Sequence, residues 1–137
     1  MHQPKIPLMN DICVRLARPP DRDRLASLRS ALWPESSAAE HASELTPILS
    51  EIDLRSHADG CNPSRPVGYV EGWFVAQEYR RQRVGAKLLA AAEDWARSHG
   101  CVEMASDTWI DNEVSQRAHE ALGFEVVDRC VHYRKNL

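Results

Sequence analysis

Gly68 to Leu89 reads GYVEGWFVAQEYRRQRVGAKLL, and three kinds of segment follow one another in it. An apolar strand runs to Phe74 and Val75, and a short polar turn covers Ala76 to Tyr79. A basic loop, Arg80-Arg81-Gln82-Arg83-Val84-Gly85, then opens a helix of period 3.6. Such a loop aims backbone N–H groups and the positive end of a helix dipole at one point. The order therefore suits a bound anion such as a pyrophosphate.

Outward from this stretch, the chain alternates strands and helices. Ile12, Val14 and Leu16 predict a strand that Pro19-Pro20 ends. Asp21 is placed to cap a helix whose buried stripe is Leu25, Leu28 and Leu32, closed by Trp33-Pro34. Ser37 is placed to cap a second helix, limited or kinked by Pro47. Ile52 to Arg55 reads as strand, and His57 to Pro66 as loop. Val67 to Val75 is the next strand, buried on both faces. The helix from Val84 to Ser98 sets Val84, Leu88, Ala91, Ala92 and Trp95 on one face and ends at Gly100. Val102, Met104 and Ser106 alternate in a further strand, and a helix near Asn112 to Leu122 ends at Gly123. Phe124 to Asp128 and Cys130 to Arg134 read as a closing pair of strands.

With 137 residues, 43% hydrophobic and 27% charged, the chain reads as one domain with a real core over 1–137. No apolar run approaches the roughly 18 residues of a membrane helix, and the N-terminus lacks a secretion signal's apolar centre, so the expectation is a cytoplasmic protein with no membrane partner. Cys13, Cys61, Cys101 and Cys130 form no CxxC pair; they read as buried free thiols, and no metal site is expected. A net charge of −3 argues against nucleic acid. Its distribution is uneven. Arg80, Arg81, Arg83 and Lys87 crowd one loop, while acids crowd elsewhere: Glu35, Glu40, Glu44, Asp59, Glu71, Asp107, Asp111 and Glu113. One basic pocket for an anionic cofactor and one acidic face for a cationic substrate would produce that split, and so would solvated surface charge.

The loop resembles the acetyl-CoA site of the GCN5-related N-acetyltransferase superfamily, Arg/Gln-x-x-Gly-x-Gly/Ala. Arg80 and Gly85 fit, and Arg83 stands where the middle glycine is usual. Further residues resemble one branch, the aminoglycoside 6′-N-acetyltransferases: Asp59-Gly60-Cys61, Tyr69 to Val75, Glu103 to Thr108, Asn112, Ser115-Gln116, His119, Ala121 to Glu125, Tyr133-Arg134-Lys135, and earlier Leu32-Trp33-Pro34. The resemblance implies an α/β fold with a mixed, twisted central sheet flanked by helices, acetyl-CoA as donor, an aminoglycoside acceptor, and a homodimer. It also implies a strand hairpin before the strand that enters the loop. Only 37 residues separate Trp33 from Glu71, too few for it. Either the hairpin is deleted, or a stretch near Ser50–Asp53 is absent from the sequence as written. The second reading is preferred, because a deletion would bare a sheet edge.

The same resemblance distributes roles. Trp73, Phe74 and Val75 would offer backbone groups to the pantetheine arm. Arg80, Arg81, Gln82, Arg83, Val84, Gly85 and Ala86 would wrap the pyrophosphate, with Arg83 serving if its φ is negative. Asn112 would meet the cofactor or simply cap its helix. Glu71, a carboxylate that needs a partner or a polar cleft, would bind an ammonium or accept the amine proton through water. Asp107 would contact the acceptor or simply cap a turn or helix, and Asp128 would contact it across a dimer interface or be a surface carboxylate. Trp33 would lie under a sugar ring or close a helix, and His57 would be a further contact. His119 or Tyr133 would return a proton to the thiolate, unless water or the product ammonium does so. Rival readings are an acetyltransferase for a polyamine or peptide N-terminus, and an acyl-CoA-binding module without turnover.

Overall fold

The computed structural model describes residues 13–43 and 54–137. Ile12, Pro47 and the Ser50–Asp53 junction lie outside these residues. Helix α1 is Arg22–Leu32, residues 38–43 are helical (α2), α3 is Val84–Ser98 and α4 is Glu113–Ala121. Strands β1 (Leu54–Arg55), β2 (Val67–Val70) and β3 (Glu103–Ser106) form one sheet in that order. β1 runs antiparallel to β2, and β2 runs parallel to β3, so the sheet is mixed.

Helix caps are local chemistry. Ser37 Oγ accepts from Glu40 N at 3.2 Å while Glu40 Oε2 accepts from Ser37 N at 2.7 Å, a reciprocal capping box. Asn112 Oδ1 accepts from Ser115 N at 3.1 Å and caps α4. Asp21 does not cap α1 with its side chain. Its carboxylate instead accepts from Arg15 and from Arg18 N, and the Arg15 guanidinium holds it well below the usual carboxylate range. Gly100 and Gly123 take φ of 81° and 90° just past α3 and α4, which stops both helices.

The packing face of α3 turns about one residue from the expected stripe. Leu89 and Ala96 are its buried residues, with Val84, Leu88 and Trp95 half-buried beside them. At Gly68 the fit is close: a Cβ there would lie 2.8 Å from the Ala96 Cβ, so β2 and α3 meet through two small residues. The β2–β3 register puts Gly68, Val70, Met104 and Ser106 on this helix-covered face. Val67 and Tyr69 point the other way, with Ala105 beside Tyr69. In α1 the buried residue is Ala26, and Leu28 is exposed; the inward face runs through Leu25, Ala26, Arg29 and Ser30.

Three expectations are corrected. β2 stops at Val70, because Ser106 is the last residue of β3 to pair with it; residues 71–76 form no strand. Residues 13–17 and 124–134 have strand composition but pair with no described strand. Alternation favours a pleated surface, but only a neighbouring backbone makes a strand. Cys101 is buried, whereas Cys61 is half-buried and Cys13 and Cys130 are exposed; all four thiols are free.

Candidate active site

Beyond Val70 and Ser106 the two parallel strands part. A side chain bridges the last rung: Ser106 Oγ donates to the Val70 carbonyl at 3.1 Å. Past it, the backbone N–H groups of Trp73, Phe74 and Val75 make no hydrogen bond among the described residues. Free N–H groups at a splayed strand can receive an amide arm and polarise a carbonyl.

Trp73 ties this splay to the helix beyond. Its Nε1 donates to the Gly85 carbonyl at 3.2 Å, and its ring lies so close that a Cβ on Gly85 would stand 3.1 Å from it. Gly85 is thus favoured by close approach, not by φ. The N-terminus of α3 has no side-chain cap. Val84, Gly85 and Ala86 therefore present helix-start N–H groups to any anion there. A cleft of about 350 Å³ stands at this point, lined by Val75, Tyr79, Arg80, Arg81, Arg83 and Val84 with Gly85. Arg80 Nε donates to the Val75 carbonyl at 2.8 Å and Gln82 Nε2 to the Glu78 carbonyl at 3.0 Å, so both side chains brace the loop.

The condition set for Arg83 is not met. Its φ is 60°, as is that of Arg81. Both occupy the left-handed region, where a Cβ crowds the following carbonyl at about 1 kcal/mol or more per residue. The loop needs this conformation whether or not a glycine supplies it. Arg83→Gly is therefore expected to raise unfolding free energy by about 0.5–1 kcal/mol in urea titration, while removing one guanidinium from the cleft.

On the sheet face opposite α3, four side chains converge. Glu71 pairs with Arg55, whose guanidinium lies over the Tyr69 ring, 3.3 Å from its centroid. The Tyr69 phenol meets the Asp107 carboxylate; burial, and then that neighbouring charge, push its pKa up. Glu71 is thus not a mid-strand residue but sits just past β2, partnered and 46% exposed at its side chain. Trp33 approaches from the end of α1: its ring would stand 2.9 Å from a Cβ on Gly72, and the Arg29 guanidinium lies 4.8 Å from its centroid. His41 holds Trp33 from behind, Nε2 donating to its carbonyl at 3.1 Å.

The remaining candidates separate. His119 is half-buried and both ring nitrogens are engaged, Nε2 with Ser106 Oγ at 3.0 Å and Nδ1 with the Ser115 carbonyl at 2.8 Å. Ser106 Oγ thus joins the Val70 carbonyl and the His119 ring in one chain of contacts. The ring also meets Trp73 and Phe124 edge-on at 5.2 Å. His119 so locks α4 to the splayed rung. Tyr133 is 93% exposed in the unpaired C-terminal segment, away from any such packing. Asp128 accepts from Arg129 N at 2.7 Å, and His57 lies 3.8 Å from Asp59; both are exposed. Asn112 Oδ1 is used by the α4 cap. Arg55, Tyr69 and Ser106 were not singled out from sequence as site residues. The signal for Arg55 was available: Glu71 needed a partner, and Arg55 is a cation on the neighbouring strand.

A splayed strand pair, an uncapped helix start and a basic cleft now stand together, and the model of the acetyltransferase (GNAT) family matches residues 26–124. The chain belongs to this family. Among known acetyltransferases it is 40% identical to the aminoglycoside N(6′)-acetyltransferase type 1 of Serratia marcescens, covering 84% of this chain and 92% of that one. It is 37% identical to the protein of that name from Klebsiella aerogenes, over 90% and 96%. The fold matches AAC(6′)-Iy in complex with a bisubstrate analog of CoA and acetylneamine, with TM-score 0.79, 32% identity and coverage of 90% and 97%. It also matches apo AAC(6′)-IG from Acinetobacter haemolyticus, with TM-score 0.82, 28% identity and coverage of 92% and 99%. The Serratia alignment spans 136 positions but uses about 115 of this acetyltransferase's 137 residues, so about 21 positions have no counterpart here. Among the described residues, no group of side chains is arranged to hold a metal ion, and no helix is long and apolar enough to cross a membrane.

Proposed function

We propose that this acetyltransferase moves the acetyl group of acetyl-CoA to the 6′-amine of aminoglycosides, by direct attack in a ternary complex, and so confers resistance. One juxtaposition carries the reading: Glu71 and Asp107 are linked on one sheet face through Arg55 and Tyr69, and Glu71 stands two residues before the N–H groups of Trp73 to Val75, which make no hydrogen bond among the described residues. The likeness to aminoglycoside acetyltransferases supports it.

In this reading Arg81, Arg83 and the N–H groups of Val84, Gly85 and Ala86 take the pyrophosphate, and Asn112 adds its remaining amide group. The acceptor binds as a cation against Glu71 and Asp107, with a sugar ring on the Trp33 face opposite Arg29, and His57 and Asp128 at its rim. Glu71 takes the amine proton directly or through water. The neutral amine attacks, the C–N bond forms, and the C–S bond breaks. The thiolate takes its proton from water or from the product ammonium. His119 then serves to position the end of β3, since both its nitrogens are engaged, and neither His119 nor Tyr133 is needed as the acid.

We also read the whole chain as one domain working as a cytoplasmic homodimer. The exposed Val126, Val127, Val131 and Tyr133 support a second copy covering the C-terminal segment. For the short junction near Ser50–Asp53 we retain the reading of an absent stretch, supported by the roughly 21 unmatched positions; an intact mass of 15.5 kDa would refute it.

The deciding assay is thiol release from acetyl-CoA with a kanamycin-type aminoglycoside bearing a free 6′-amine, with its 6′-blocked counterpart, and with simple amines. Release that needs the 6′-amine is expected. Equal turnover of simple amines overturns the acceptor assignment, and cofactor binding without release overturns the enzyme.

A further inference from the structure

The face assigned to the acceptor already contains a cation. Arg55 ends β1, pairs in register with Val67, and so shares the face of Val67 and Tyr69. Its guanidinium has two seats there, the Glu71 carboxylate and the Tyr69 ring. The two paired side chains are 38% and 46% exposed, so water screens the contact and it contributes little to stability. A guanidinium keeps its charge at any working pH and cannot leave by losing a proton. An incoming ammonium must therefore exchange with it, cation for cation. The ring offers Arg55 a place when the carboxylate is taken, since a cation over an aromatic face is attracted by the ring quadrupole.

We propose that Arg55 is a specificity-determining residue, a resident counter-cation on Glu71 that an acceptor ammonium must displace. This rests on the reading of Glu71 as the acceptor's carboxylate. Displacement favours acceptors with several ammonium groups, because one can take Glu71 while another gains Asp107. A single-amine acceptor gets no second contact to offset the exchange.

The test is steady-state thiol release by the full chain, wild type against Arg55→Gln, with kanamycin and with the single-amine sugar 6-amino-6-deoxyglucose. The acceptor KM for kanamycin is expected to fall about two- to fivefold, the span of one exposed ion pair. The preference for kanamycin over the monoamine is expected to narrow, and the KM for acetyl-CoA to stay unchanged. A kanamycin KM equal to or above wild type, in a variant with wild-type melting, overturns the proposal and makes Arg55 a positioning residue for Glu71. Should Arg55→Gln not fold, Arg55→Lys decides. It keeps the charge but has no plane to lie on Tyr69, so the kanamycin KM should stay at or above wild type, and a fall overturns the proposal. Absence of thiol release from wild type overturns the functional reading itself, and Arg55's role with it. Release with an unmoved KM in Arg55→Gln overturns only the role of Arg55.

Discussion

Glu71→Gln is expected to lower kcat/KM for an aminoglycoside acceptor by about a hundredfold, the lower end of what a positioned proton acceptor contributes. The amide keeps the volume of the carboxylate and loses both its charge and its basicity. If Glu71 only binds the ammonium, the loss falls in acceptor KM with kcat kept; if it also takes the proton, kcat falls too. Acetyl-CoA binding should not move, because the groups proposed to hold the cofactor lie beyond Gly72 in the segment past β2 and at the start of α3. Losses equal for acceptor and cofactor would show that the substitution disturbs the sheet end as a whole. Glu71→Gln and Arg55→Gln should also be non-additive, since the two side chains are in direct contact.

Trp73→Ala should have the largest effect on the cofactor side. The indole is at once a hydrogen-bond donor to Gly85, a wall against the start of α3, and an edge-on partner of His119. Its truncation opens a gap among three elements. For a half-buried Trp the expected destabilisation is about 2–3 kcal/mol, at or below the low end of large-to-small core changes. Without that wall the Val84–Ala86 N–H groups lose their alignment with the splay, and the KM for acetyl-CoA should rise about tenfold. Trp73→Phe keeps the wall and loses the donor, so about 1 kcal/mol is expected. Thermal melting and acetyl-CoA titration of the two variants measure both effects. An unchanged acetyl-CoA KM in Trp73→Ala would mean the strand exit and the helix start are set independently.

Legibility in the sequence followed the range of the forces involved. α3 and α4 were readable almost to the residue, because caps and 3.6-residue periodicity act within a turn or two. The basic loop and its placement before α3 were equally plain. β2 was read five residues too long, since the apolar run to Val75 continues beyond the point where β3 still has a residue to pair with it. The C-terminal segment was read as strands from composition alone, yet nothing local tells a strand whether a partner exists. In the site, Asp107 was legible as a carboxylate at a strand's end, and Glu71 as a carboxylate that needs a partner, though it was read mid-strand and stands just past β2. Their linkage through Arg55 and Tyr69 was not, because it depends on register between three strands. The negative φ asked of Arg83 failed for a related reason: the loop's geometry, and not the residue's preference, decides its conformation.

The left-handed turn at Arg81 and Arg83 has one more consequence. It leaves Arg81 and Arg83 exposed, two residues apart, beside the exposed Arg80 at the mouth of the proposed cofactor cleft. A protease that cuts after arginine finds here a cluster of sites on the surface. Any anion seated in the cleft would shield the same bonds. The rate at which trypsin nicks the chain at this loop thus becomes a direct gauge of cleft occupancy, readable without turnover.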